Sequence, residues 1–281
     1  MLAFIPSDAG LLALQAGVVA APRRAPETRL LTRLRSPVWA AIPIASIVGV
    51  IFAIRYVSDT ATGLTYLALV AVPPLAAVAL AWAMRGPPAS RARTAVAIAV
   101  TALLFALAWG FHRSLVGGAS AALLSALSCV TLGVLLATVA PPGWLKLGIL
   151  AMAAADVWLV SSDLLQAPNA TLIAAQPAGN LPQLQGELFG TVTMGYGDLF
   201  VAALLGAVLA SNRSRQWQGA LLTLVFAALF DLLFLAVSEL PATVPVALAM
   251  IVLEVADRRA RHRDRIPRPA PGLARSAPGH R

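Results

Sequence analysis

GTVTMGYGDLF, residues 190–200, decides how this chain is read. Asp198 follows two glycines, Gly195 and Gly197, inside an otherwise apolar run. Two readings compete. The backbone carbonyls of Thr193–Gly197 can line a pore. Alternatively, the Asp198 carboxyl can act with a second acid held opposite it at the same depth. The surroundings of the stretch separate the two.

The 281-residue chain is 59% hydrophobic and 12% charged, about half the charge of a soluble domain. Long apolar runs cut by short basic loops mean an all-α, polytopic membrane protein. A net charge of +9 in a soluble protein would suggest nucleic acid. Here the basic residues occupy loops and the tail, so they orient the chain against anionic membrane lipids. A single cysteine, Cys129, excludes a disulfide framework and a thiolate metal site. His112, His262 and His280 have no ligand spacing, so no metal and no organic cofactor is implied.

Eight strong spans are predicted, at about 38–55, 64–84, 93–110, 118–140, 144–163, 187–211, 217–238 and 241–256. A weaker run, 10–22, is a short first span, an interfacial helix or a signal-like segment. Basic residues follow it rather than precede it, which argues against a cleaved signal peptide. The expected organisation has an N-terminal apolar segment and basic linker (1–36) and a four-span scaffold (37–140). A four-span catalytic-type region (141–256) and a basic disordered tail (257–281) complete it. Arginines at 23–35, 85–93 and 213–215, and in the tail, fall in alternate loops and go to the cytoplasm. With 10–22 counted there are nine spans, the N-terminus outside and the C-terminus inside. The uncharged 164–186 loop lies outside, as a lid, a re-entrant segment or loose chain.

A pore loop needs a helix before it and a full helix after it. QLQGELFGTV, residues 183–192, is the stretch available as a pore helix. After Asp198 the apolar run ends at Ala210, before Arg213 and Arg215. Twelve helical residues cover about 18 Å, too little to cross. A mouth at Gly195–Asp198 would draw both arginines into lipid. Placing Asp198 inside a 187–211 span removes the conflict. Asp198 is then about 16 Å from the outer end of its span, and Asp156 about 18 Å from the inner end of 144–163. Antiparallel neighbours would bring the two carboxyls together. Two facing acids share a proton, one acting as base toward water and the other as acid toward a carbonyl oxygen. Gly195 and Gly197 let backbone approach closely beside Asp198.

Three stretches carry a resemblance: ADVWLV at 155–160, MGYGDLFVAALLGAVLA at 194–210 and LPATVPVAL at 240–248. Together they resemble the three signatures of the presenilin and signal peptide peptidase proteases, the G-x-G-D intramembrane aspartic proteases. The third follows Asp198 by about 43 residues. The resemblance covers 144–256. It implies a nine-helix bundle, Asp156 and Asp198 as the catalytic pair, and cleavage of transmembrane or signal-peptide helices. It also places Gly195, Tyr196, Gly197, Pro241, Ala242 and Pro245 at the active-site backbone and substrate contacts. The chain departs from the family at Ala155, usually aromatic, and at Thr243, usually leucine. The altered motif leaves a non-catalytic helix-binding protein as an alternative. Thr193–Asp198 also resembles a potassium-channel filter, which keeps a channel or a cation- or proton-coupled transporter open.

Other acids compete. Asp231 lies within the 217–238 span, where it is an auxiliary acid or a member of a proton relay. Asp163 falls at a solvated helix end. Pro241 and Pro245 either break and restart a helix or present unpaired backbone to an extended substrate. Tyr196 is packing or function. Trp39, Trp144 and Trp217 begin spans as interfacial anchors. Substrate identity and oligomeric state do not follow from the sequence.

Overall fold

The computed structural model describes residues 6–23, 35–42, 59–84, 91–162, 166–189, 192–235 and 240–264, with isolated positions between them. Nine α-helices are described: α1 Pro6–Ala20, α2 Thr60–Ala83, α3 Arg91–Gly110, α4 Leu115–Val139, α5 Pro142–Ser161, α6 Gln166–Ala174, α7 Tyr196–Leu209, α8 Arg213–Asp231 and α9 Val244–Asp264. Two short strands, β1 Gly186–Phe189 and β2 Val192–Gly195, pair antiparallel, with Gly186 opposite Gly195 and Phe189 opposite Val192.

Four helices, α2, α3, α4 and α5, are long and apolar enough to cross a membrane. Their apolar surface is largely unburied. In the most apolar windows of α2 and α3 only 22% and 17% of residues are covered by protein. Val70, Leu67 and Leu103 face outward, and an apolar exterior of this extent fits a lipid solvent.

The core is built around α4 and α7. Leu199, Val201, Ala202, Ala203, Leu204, Leu205 and Gly206 of α7 are all buried. Gly133 of α4 permits this approach, since a Cβ there would lie 2.8 Å from the Ala203 carbonyl carbon. Around α7 pack α1, α4, α5, α8 and α9, while α2 and α3 lean on α4. The 10–22 run is a helix packed in this core: Leu11 and Val19 are buried. Its end is fixed by Gln216, whose amide donates to the Val19, Pro22 and Gly206 carbonyls at 3.0, 2.8 and 3.2 Å.

One end of the bundle collects charge. Arg213 donates to the Ala20 carbonyl and to Gln216 Oε1 and lies over the Trp217 ring. Lys146 pairs with Glu254, joining α5 to α9, and Arg215 pairs with Asp257, joining α8 to α9.

The fold is mostly helical, as expected, with two short strands at Gly186–Phe189 and Val192–Gly195. The structure corrects three expectations. The expected 187–211 span is a strand pair followed by a 14-residue helix. The pore-helix reading of 183–192 fails with it, because Gly186–Phe189 is extended. Val192 and Thr193 are β-branched and favour extended backbone over helix. In the tail, helix continues to Asp264 rather than stopping near 256. Ala and Arg sustain helix well, and the Arg215–Asp257 pair ties this extension to α8. Residues 265–281, Asp163 and most of the 38–55 span lie outside the described residues.

The 164–186 loop is ordered around α6. Thr65 donates to the Ala175 carbonyl at 3.0 Å and Trp109 Nε1 to the Gly179 carbonyl at 3.1 Å. Ser125 donates to the Leu184 carbonyl at 3.2 Å. The loop is thus laced to α2, α3 and α4.

Candidate functional site

Asp198 is placed by a helix start. Gly195 has extended backbone (φ −72°, ψ 146°), and the helix begins at the next residue. Asp198 is the third helical residue, and its Oδ2 accepts the Gly195 N–H at 3.1 Å. A carboxylate in the first turn satisfies an otherwise free backbone donor and faces the positive end of the helix dipole. The spacing from Gly195 to Asp198 thus has a local structural cause. Among the described residues no hydrogen bond reaches Asp198 Oδ1.

Tyr196, two residues earlier, is anchored to α4. Its hydroxyl bonds Ser128 Oγ at 2.7 Å, and the Cys129 thiol meets its carbonyl oxygen at 3.6 Å. Those contacts fix the start of α7 against α4. Gly197 has open space where a side chain would stand.

Asp156 lies on α5, half-buried, ten residues beyond Lys146. That is about 15 Å from the charged end of the bundle. Asp198 is eleven residues from Leu209, the last residue of α7, or about 16 Å from the same end. The two acids stand at matching depth on different helices. They are close enough for the charge of Asp156 to act on Asp198.

The third motif meets Asp156 directly. Residues 240–243 turn into α9, and the Thr243 hydroxyl donates to Asp156 Oδ2 at 2.6 Å. The Thr243 N–H approaches the same oxygen at 3.3 Å. Val244 N–H closes the turn onto the Pro241 carbonyl at 3.2 Å. The Ala242 carbonyl accepts from Gln15 Nε2 of α1 at 2.9 Å. Pro245 falls in the first turn of α9, where its missing N–H has no intrahelical partner to lose.

The structure thus joins Asp156 to the Pro241–Thr243 turn and sets Asp198 within electrostatic reach of Asp156. Asp231 stands apart from them. It ends α8, and the charge acting on it is that of Asp8 on α1.

Sequence reasoning missed two residues. Thr243 was visible only as a departure from the motif that 240–248 resembles, though a hydroxyl facing a membrane acid is a natural donor. Gln15 was a lone amide in an apolar run, and buried amides in such runs require partners. Its Oε1 is buried without a hydrogen bond among the described residues.

No protein-family model, no curated protein and no solved structure matches this chain.

Proposed function

We propose that this chain is an intramembrane aspartic endopeptidase that cuts transmembrane or signal-peptide-like helices with the pair Asp156 and Asp198. The observation that carries the reading is the contact of the first motif with the third, with the second in electrostatic reach of the first. Asp156 is held by Thr243 and lies within electrostatic reach of Asp198.

In this reading the ionised carboxyl removes a proton from water, and the resulting hydroxide adds to the scissile carbonyl carbon. The protonated carboxyl donates to the carbonyl oxygen, giving a tetrahedral diol. Collapse of the diol breaks the C–N bond as the amine nitrogen takes up a proton. The β1–β2 hairpin ends three residues before Asp198 and has outer edges on which an extended substrate segment can add as a strand.

The placement follows from the same features. The chain is a multi-pass protein of the cell membrane, in a bundle resembling the presenilin and signal peptide peptidase proteases. Its charged end and C-terminus face the cytoplasm. Lipid covers the apolar exterior of α2 and α3. Asp156→Ala and Asp198→Ala are each expected to abolish cleavage of a helical reporter by purified protein in detergent. Normal turnover in either variant refutes the assignment.

A further inference from the structure

Thr243 occupies the position before the first residue of α9, and the Ala247 N–H bonds its carbonyl at 3.1 Å. A hydroxyl in that place ordinarily caps its own helix. Here its proton goes to another helix, to Oδ2 of Asp156 at 2.6 Å. That separation is typical of a hydroxyl donating to an ionised carboxylate.

The second contact agrees with that direction. A backbone N–H only donates, so the Thr243 N–H makes Oδ2 an acceptor. Oδ2 of Asp156 therefore receives two donors, an arrangement that favours the ionised carboxylate over the acid. Its Oδ1 has no hydrogen bond among the described residues. The donor is itself held in place. Thr243 is buried, and its turn is pinned from α1 by the Gln15 bond to the Ala242 carbonyl.

The charged groups on the elements around Asp156 do not offset this. The segment Pro37–Ala41 has no ionisable side chain, α9 carries Glu254 paired with Lys146 of α5 and, farther toward its C-terminal end, Asp257 paired with Arg215 and then Arg258, Arg259, Arg261 and His262, and α7 offers Asp198. Among the described residues Asp198 receives one donor, the Gly195 N–H.

We propose that Thr243 is a positioning residue that holds Asp156 as the proton-accepting member of the pair, leaving Asp156 Oδ1 for the water and Asp198 to donate to the carbonyl oxygen. This rests on the protease reading and adds to it a division of labour between the two acids. The residue that departs from the family pattern is then the one that sets the roles.

The test uses the full chain in detergent with a helical reporter, comparing Thr243→Val and Thr243→Ser with the parent. Val matches the shape of Thr and lacks the hydroxyl, whereas Ser keeps it. The expected result is at least a tenfold loss of kcat in Thr243→Val with KM within twofold. Thr243→Ser should stay within threefold of the parent. Thermal unfolding is followed for each, and Thr243→Ala, which adds no bulk, replaces the Val variant if that one does not fold. A hydroxyl-free variant that turns over within threefold of the parent overturns the role of Thr243 and leaves the protease reading standing. So does a Ser variant as impaired as the Val variant. A parent chain that cleaves no helical reporter overturns both.

Discussion

The Thr243 hydroxyl lies 2.6 Å from Asp156 Oδ2, so a residue at the mouth of one helix sets the orientation of an acid in the last third of another. The contact joins α9 to α5 near the level at which α7 begins, and it draws the third sequence motif to the first. The account of the site depends on how rigidly such joints are held.

One joint is the close approach of α4 and α7. Gly133→Val places side-chain atoms where the Ala203 backbone already lies, with 2.8 Å from Cβ to the carbonyl carbon. Overpacking of this kind costs about 1–3 kcal/mol. The variant is expected to melt lower in detergent and to lose cleavage along with its fold. An unchanged melting temperature would show that α4 and α7 are farther apart.

A second joint is Gln216. Its amide serves three carbonyls at the end of α1 and in α7, and its Oε1 accepts from Arg213. Gln216→Leu leaves these buried groups unpaired, at about 2–3 kcal/mol. Lower thermal stability and faster proteolysis near residue 23 are expected together. Stability equal to the parent's would mean that α1 is not anchored there.

The Tyr196–Ser128 bond separates the protease from a pore. Tyr196→Phe and Ser128→Ala are each expected to cost about 1 kcal/mol of stability, and the double variant no more than either. Cleavage by Tyr196→Phe should remain within tenfold of the parent, because the hydroxyl packs against α4. Cation flux in liposomes that vanishes on this substitution would favour a channel.

The sequence and the structure agree where length and apolarity decide the matter. The runs at 64–84, 93–110, 118–140 and 144–163 correspond to α2, α3, α4 and α5 within a few residues. Around Asp198 the same signal misleads. In an apolar stretch, periodicity does not distinguish strand from helix, so Val192–Gly195 was absorbed into a span. The helical extension past Asp257 was equally hidden, because its Arg215 partner is 42 residues away in the chain. Asp156 and Asp198 were legible as acids in apolar surroundings. Thr243 and Gln15 were not, since their importance arises only when α1, α5 and α9 meet.

The central claim, that Asp156 and Asp198 act as one unit, is tested most directly by a double-mutant cycle on turnover. Asp156→Asn, Asp198→Asn and the double variant are compared with the parent on one helical reporter. Groups that work together fail together, so each single variant is expected to lose at least about a thousandfold and the double variant to be no worse. A single variant within tenfold of the parent, or losses that multiply in the double variant, would contradict the account.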